Sequence, residues 1–187
     1  MTTHCMIDLE TLGTKNGSAL LSLGAVKFST TDYSIWEQFY VRIDPKSCQQ
    51  VGLGIDADTV AWWLHPDRAL ARDALLAEEP MDLHTALDGF ADWYSTDLPP
   101  VQGGIPTWGN GATFDNVLLR TAFERVGIDC PWAYYNDRCF RTLRALANRE
   151  VWDAVTPAEG MAHHALCDAV YQARVMQVIV KNLGLAI

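Results

Sequence analysis

Met6-Ile7-Asp8-Leu9-Glu10-Thr11-Leu12-Gly13 is the stretch from which the rest of the chain is read, an apolar run that delivers two carboxylates separated by a single leucine. If Cys5 to Leu9 forms a strand, alternate side chains take opposite faces. Asp8 and Glu10 then project together while Ile7 and Leu9 point into a core. Two acids on one face repel unless a proton or a cation lies between them, and a hard divalent ion with oxygen ligands meets that need. The same Asp-x-Glu pattern also decorates solvated strand edges that bind nothing. A site therefore requires further carboxylates from elsewhere in the chain.

The chain has 187 residues, 49% of them hydrophobic, which suffices for one sizeable core and one domain over residues 1–187. Its net charge of -9 argues against a general polyanion-binding surface and leaves room only for a local basic one. Cysteines 5, 48, 130, 139 and 167 are odd in number and lack Cys-x-x-Cys spacing, so neither a zinc site nor a disulfide framework is indicated. Reduced cytosol, and hence a cytoplasmic location, is the expectation. The first residues hold no apolar signal core, and Arg174, Gln177 and Lys181 interrupt the C-terminal apolar stretch, so no membrane span is expected.

Ala19 to Phe28 and Ile35 to Ile43, with the polar turn Ser29 to Ser34 between them, join Cys5 to Leu9 in a meander of three strands. Pro45, Gly52 and Gly54 mark a loop. Asp56 or Asp58 then caps a short helix containing Val60, Trp62, Trp63 and Leu64, which Pro66 ends. Arg68 to Ala77 and Leu83 to Tyr94 read as two more helices, followed by a loop with Pro99, Pro100, Gly103 and Gly104. Ile105 to Trp108 is a short strand that leads through Gly109-Asn110-Gly111 into a helix whose apolar positions include Phe114, Leu118 and Ala122. Asp115 falls in its first turn, where a solvated acid also serves the helix dipole without any further function. Gly127 is the expected C-cap, Trp132 to Tyr135 a last strand, and Arg138 to Asn148 a helix. On the final helix, Ala165 to Leu183, Asp168 shares the core-side stripe with Ala165 and Gln172. The order is an α/β pattern with an antiparallel half.

Three stretches carry a family resemblance: Met6 to Thr14, Trp108-Gly109-Asn110-Gly111-Ala112-Thr113-Phe114-Asp115-Asn116, and His163-His164-Ala165-Leu166-Cys167-Asp168-Ala169. In order and spacing they resemble the three exonuclease motifs of the DnaQ-like, or DEDDh, 3'-5' exonuclease superfamily. Asp56 to Leu64 and Asn136 to Thr142 further resemble phage and prophage exonucleases related to exonuclease VIII and a bacterial exoribonuclease group. The resemblance implies an RNase H-like fold, a five-stranded mixed sheet of three antiparallel and then two parallel strands, flanked by helices. It also implies that Asp8, Glu10, Asp115 and Asp168 ligate two divalent ions, Mg²⁺ or Mn²⁺. In-line phosphodiester hydrolysis needs an activated water and charge relief at the leaving oxygen, which two ions about 3.5–4 Å apart supply.

By the family's spacing of five residues before the last ligand, His163 is the general base in preference to His164. His164 and Cys167 depart from the residues more usual in the family, at positions that are not ligands. Pro157 and Gly160 suggest a mobile loop before His163. For substrate, Thr11, Leu12 and Gly13 follow the first acids where related enzymes meet the terminal nucleotide. Trp62 or Trp63 suits base stacking, and only one of two adjacent helix positions can face a groove. Asn110 and Asn116 bracket the third acid and either orient it or bind sugar. Arg138, Arg141 and Arg144 draw a short basic line suited to phosphates, or a solvated helix face.

The expected activity is therefore metal-dependent 3'-5' release of 5'-mononucleotides from single-stranded DNA or RNA 3' ends, in the cytoplasm of a bacterium or a phage-infected host. An RNase H-type endonuclease or a noncatalytic nucleic-acid-binding module of the same fold is the alternative. An aspartyl phosphatase would want Asp-x-Asp where Glu10 stands. The seven tryptophans leave apolar surface for a homodimer.

Overall fold

The structure is a computed structural model and describes residues 3–96, 98, 102–156 and 162–187. Five strands form one sheet in the order β3-β2-β1-β4-β5, with β1 at Thr3–Thr11, β2 at Leu20–Ser29, β3 at Ile35–Arg42, β4 at Thr107–Gly109 and β5 at Asp137–Cys139. β1 and β2, and β2 and β3, pair antiparallel, whereas β1 and β4, and β4 and β5, pair parallel. This is the expected mixed RNase H-like sheet.

Eight helices accompany it among the described residues: α1 Pro45–Gln50, α2 Ala57–Leu64, α3 Ala69–Ala77, α4 Leu83–Ser95, α5 Asp115–Val126, α6 Phe140–Ala145, α7 Arg149–Asp153 and α8 Ala165–Leu183. The central strand is covered on both sides. Cys5, Ile7 and Leu9 face a core with Phe90 of α4 and Leu119 and Phe123 of α5, while Met6 faces a second core with Phe140 of α6 and Ala169, Ala173 and Met176 of α8. Asp8 and Glu10 continue the Met6 face. They emerge where the second core opens beneath the start of α8.

Three elements differ from the sequence reading. Trp132 to Tyr135 is not a strand: Trp132 is buried against Phe90, Tyr94 and Phe123, Tyr134–Asn136 forms a 3-10 turn, and the strand follows at Asp137–Cys139. Aromatic residues imitate strand composition there, but their rings serve burial rather than sheet pairing. The helix expected over Arg138 to Asn148 begins only at Phe140, because the parallel pairing of Trp108 with Arg138 and of Gly109 with Cys139 holds those residues extended. The segment from Pro45, expected as a loop, instead forms α1, with Pro45 in its first turn and the Asp44 carboxylate accepting from the Lys46 N–H. Of the other expectations, the loop residues Pro99, Pro100, Pro157 and Gly160 lie outside the described residues.

Two local devices set where α5 and α8 begin. Gly24 of β2 pairs with Asp8 of β1, and a Cβ on it would overlap the backbone of Ala165 and Leu166. Only a hydrogen at this position lets the first turn of α8 lie directly on the sheet. On the other side, the fully buried Asn116 donates through Nδ2 to Thr107 O at 2.9 Å and to Asp137 Oδ1 at 3.0 Å. Asp137 also accepts from Arg120 and from the Trp132 indole. This hub ties α5 to β4 and β5, and a Cβ on Gly109 would lie 2.8 Å from that of Asp115.

Candidate active site

Each of the four acids stands at the edge of an element that the packing above has fixed. Asp8 and Glu10 leave β1 on its α8 side, Asp115 opens α5, and Asp168 lies in the first turn of α8. All four line one cleft of about 320 Å³ together with Asn110, Arg141, Arg144, His163 and Gln172. Glu10, Asp168 and His163 each offer an atom within 4.8 Å of the others. One turn beyond Asp168, Gln172 donates from Nε2 to Asp8 Oδ1 at 2.7 Å, and the His163 backbone N–H donates to Asp168 Oδ2 at 3.0 Å.

Such crowding has an electrostatic cost. Burial is the first cause that lifts Asp8 well above the usual carboxylate range, and the neighbouring charges of Asp115, Glu10 and Asp168 add to it against the pull of Gln172. Burial, with Asp168 and Asp115 beside it, pushes Glu10 up to about 8. Asp115 reaches about 7 through burial, although the backbone N–H groups of Leu9, Asp115 and Asn110 pull the other way. Asp168 is raised as well, again chiefly by burial. Asp115 is thus no solvated dipole-capping acid: it is 2% exposed. None of the four pairs with a Lys or Arg in an ion pair among the described residues. A set of converging, oxygen-only carboxylates without a Lys or Arg ion pair is the donor chemistry that hard divalent cations require, so the residues fit such ions.

The sign of these shifts gives a prediction. An acid whose folded-state pKa exceeds its unfolded one binds more protons when folded, so stability falls as pH rises between the two values. For Glu10 that window runs from 4.5 to about 8. In EDTA, the melting temperature should drop by several degrees between about pH 5 and about pH 8. Mn²⁺ should restore more of it at the higher pH, where the carboxylates are free to bind. A thermal-shift series that is flat in EDTA would contradict the buried acid cluster.

The other residues singled out from sequence divide clearly. His163 joins the acids, whereas His164 turns away and stacks on Tyr40 with ring centroids 4.4 Å apart. Trp63 is buried, its indole N–H donating to Thr11 O at 3.0 Å, and Trp62 is the more exposed of the pair at 39%. A second cleft of about 540 Å³, lined by Trp62, Phe114, Thr11, Thr14 and Lys15, shares Leu9, Glu10 and Phe114 with the first. The backbone of Leu12 is spent internally, with its N–H on Ala19 O and its carbonyl on the Asp56 N–H, and the Thr11 hydroxyl donates to Gly13 O. Gly13 is held tightly against Ser18.

Asn110 lines the acid cleft, and its side-chain oxygen is buried without a partner. Asn116 does not reach a sugar, because its amide is committed to Thr107 and Asp137. The three arginines do not form one helical line. Arg138 sits in β5 and bonds the carbonyls of Tyr135 and Asp137, while Arg141 and Arg144 of α6 line the acid cleft. Gly24 and the Gln172 amide went unread in the sequence. A glycine inside an apolar strand was the one available sign of the first, and the second had none beyond its place on the Asp168 stripe.

A family model described as the Rv2179c-like 3'-5' exoribonuclease domain matches residues 3–180. The chain belongs to this family. As an Rv2179c-like domain it is a hydrolase of the 3'-5' exonuclease type, acting on nucleic acid in a class that depends on divalent metal. No curated protein matches it in sequence. Among solved structures, the nuclease domain of 3'hExo, a DEDDh family member bound to rAMP, superposes with a TM-score of 0.65 at 12% identity, covering 96% of this chain and 92% of that one. E. coli exonuclease I in complex with a dT13 oligonucleotide gives 0.63 at 18% identity, over 97% of this chain and 41% of that one. A product-bound exonuclease I gives 0.62 at 16%, over 97% and 44%. The Rv2179c-like chain thus spans less than half of the exonuclease I structures, and these likenesses establish the shared fold. No helix among the described residues is long and apolar enough to cross a membrane.

Proposed function

We propose that the protein removes 5'-mononucleotides one at a time from the 3' ends of single-stranded nucleic acid, with RNA the class favoured by the family's description. The observation that carries this reading is the meeting of four acids, Glu10 and Asp115 buried and Asp8 and Asp168 part-buried, with His163 in a cleft that shares its wall with an aromatic-lined one. Asp8, Glu10, Asp115 and Asp168 would hold a pair of Mg²⁺ or Mn²⁺ ions, which when bound acidify the attacking water and relieve charge at the scissile phosphate.

His163 takes up the water's proton at a ring nitrogen within 4.8 Å of the Glu10 and Asp168 oxygens. Gln172 keeps the Asp8 carboxylate oriented into the cleft. Arg141, whose guanidinium donates to Asn110 O at 2.7 Å, lines the acid cleft with Arg144 and suits the phosphates upstream of the scissile bond. Phe114, at the junction of the two clefts, offers an apolar wall to the terminal nucleoside.

A 5'-labelled linear 20-mer of RNA and of DNA, and the internally labelled circle made by ligating each, test the proposal with Mg²⁺ and with Mn²⁺. The expected result is a ladder of shortening labelled products from the linear single strands, faster on RNA, with the circles untouched. Immediate release of labelled mononucleotide, or cutting of the circles, would overturn it.

A further inference from the structure

We propose that Trp62 is a positioning residue for His163, setting the direction of its imidazole from a separate element of the fold. The inference rests on the reading of His163 as the base. His163 is one of only two non-glycine residues with positive φ among those described, at 63°, so its backbone sits in the sparsely occupied left-handed region. Its N–H is tied to Asp168 Oδ2 at 3.0 Å. That bond anchors the backbone but leaves the ring free to rotate about its side-chain torsions.

What meets the ring is Trp62, edge-to-face, with centroids 5.0 Å apart and planes at 90°. Trp62 is itself braced. The Arg68 guanidinium lies over its ring at 4.4 Å, and Trp63 meets it edge-on at 5.2 Å and 87°. Trp63 is pinned in turn by its indole bond to Thr11 O and by Arg72, which donates to Trp63 O at 2.9 Å. The Arg68 Nε is buried with no hydrogen-bond partner among the described residues, and its guanidinium lies against the Trp62 face. A chain of contacts therefore runs from the end of β1, just past Glu10, through α2 to the imidazole. The base is held against the same strand that carries two of the acids.

A stacking platform for the substrate base is the rival role for an exposed tryptophan, and the two differ in what they change. The test measures kcat and KM for Trp62→Ala and Trp62→Phe, each in the parent and in a His163→Ala background. The substrate is a single-stranded oligonucleotide, with and without an abasic 3'-terminal residue. Trp62 is part-exposed and lies on a surface helix, and circular dichroism confirms folding of each variant. Positioning predicts that Trp62→Ala lowers kcat about 10- to 100-fold with KM within about 2-fold, equally on both substrates. It further predicts that Trp62→Phe recovers most of the loss, and that Trp62→Ala has no added effect when His163 is already absent. A loss confined to KM and abolished by the abasic end would overturn the proposal in favour of stacking. So would multiplicative losses in the double variant. A His163→Ala enzyme as active as the parent is a separate result, which removes the base reading and this inference with it.

Discussion

Asp8→Asn should lower Mg²⁺-dependent digestion at least about 1000-fold while making the metal-free protein more stable. The two halves have one origin. An ionised Asp8 stands among Glu10, Asp115 and Asp168, and that setting, with burial first, disfavours its charge and lifts its pKa. Asparagine keeps the oxygen that accepts from Gln172 and the shape of the side chain, so the packing of β1 against α8 survives. It removes the charge, and with it both the repulsion in the empty cluster and the attraction for cations. Several kilocalories per mole of charge stabilisation, at about 1.36 kcal/mol per decade of rate, give the stated loss. Thermal melts in EDTA should rise for Asp8→Asn relative to the parent, and the melting shift produced by Mn²⁺ should shrink. Asp115→Asn should behave in the same direction, because Asp115 is buried and its carboxyl is likewise raised, chiefly by that burial. Near-parental activity in either variant would remove the metal-centred mechanism.

His163→Ala should cost about 100- to 10,000-fold in kcat, the usual range for a lost general base, while leaving the Mn²⁺-dependent melting shift in place. Retention of that shift separates the two kinds of damage, since an acid variant loses the cation and a base variant keeps it. His164→Ala provides the contrast. Its ring is stacked on Tyr40, away from the acid cleft, so the variant should lose far less activity. An order reversed between the two histidines would transfer the role to His164.

Much of this site could be read from the chain because its acids sit where local periodicity is strongest. A strand period of two puts Asp8 and Glu10 on one face whatever lies around them, and a helical stripe over nineteen residues fixes α8 and the side on which Asp168 falls. Asp115 was placeable from a short strand and a glycine-rich turn, but its burial was not, since the covering atoms come from β1 and from the turn at Asn110. Composition misled at Trp132 to Tyr135, where rings destined for a core or for solvent look like strand residues. The choice between Trp62 and Trp63 depended on a carbonyl some fifty positions earlier, Thr11 O. Gly24 was opaque for the same reason, because its meaning lies in a helix that the chain reaches only at Ala165.

The first strand and the last helix both contribute to the acid cleft, and this has a consequence for biosynthesis. A ribosome that has released everything up to α7 has made three of the four acids and neither His163 nor the Gln172 brace. Until α8 docks over Gly24, the cleft around Asp8, Glu10 and Asp115 lacks Asp168, His163 and the Gln172 amide. Detaching that helix would remove the same three groups from the cleft.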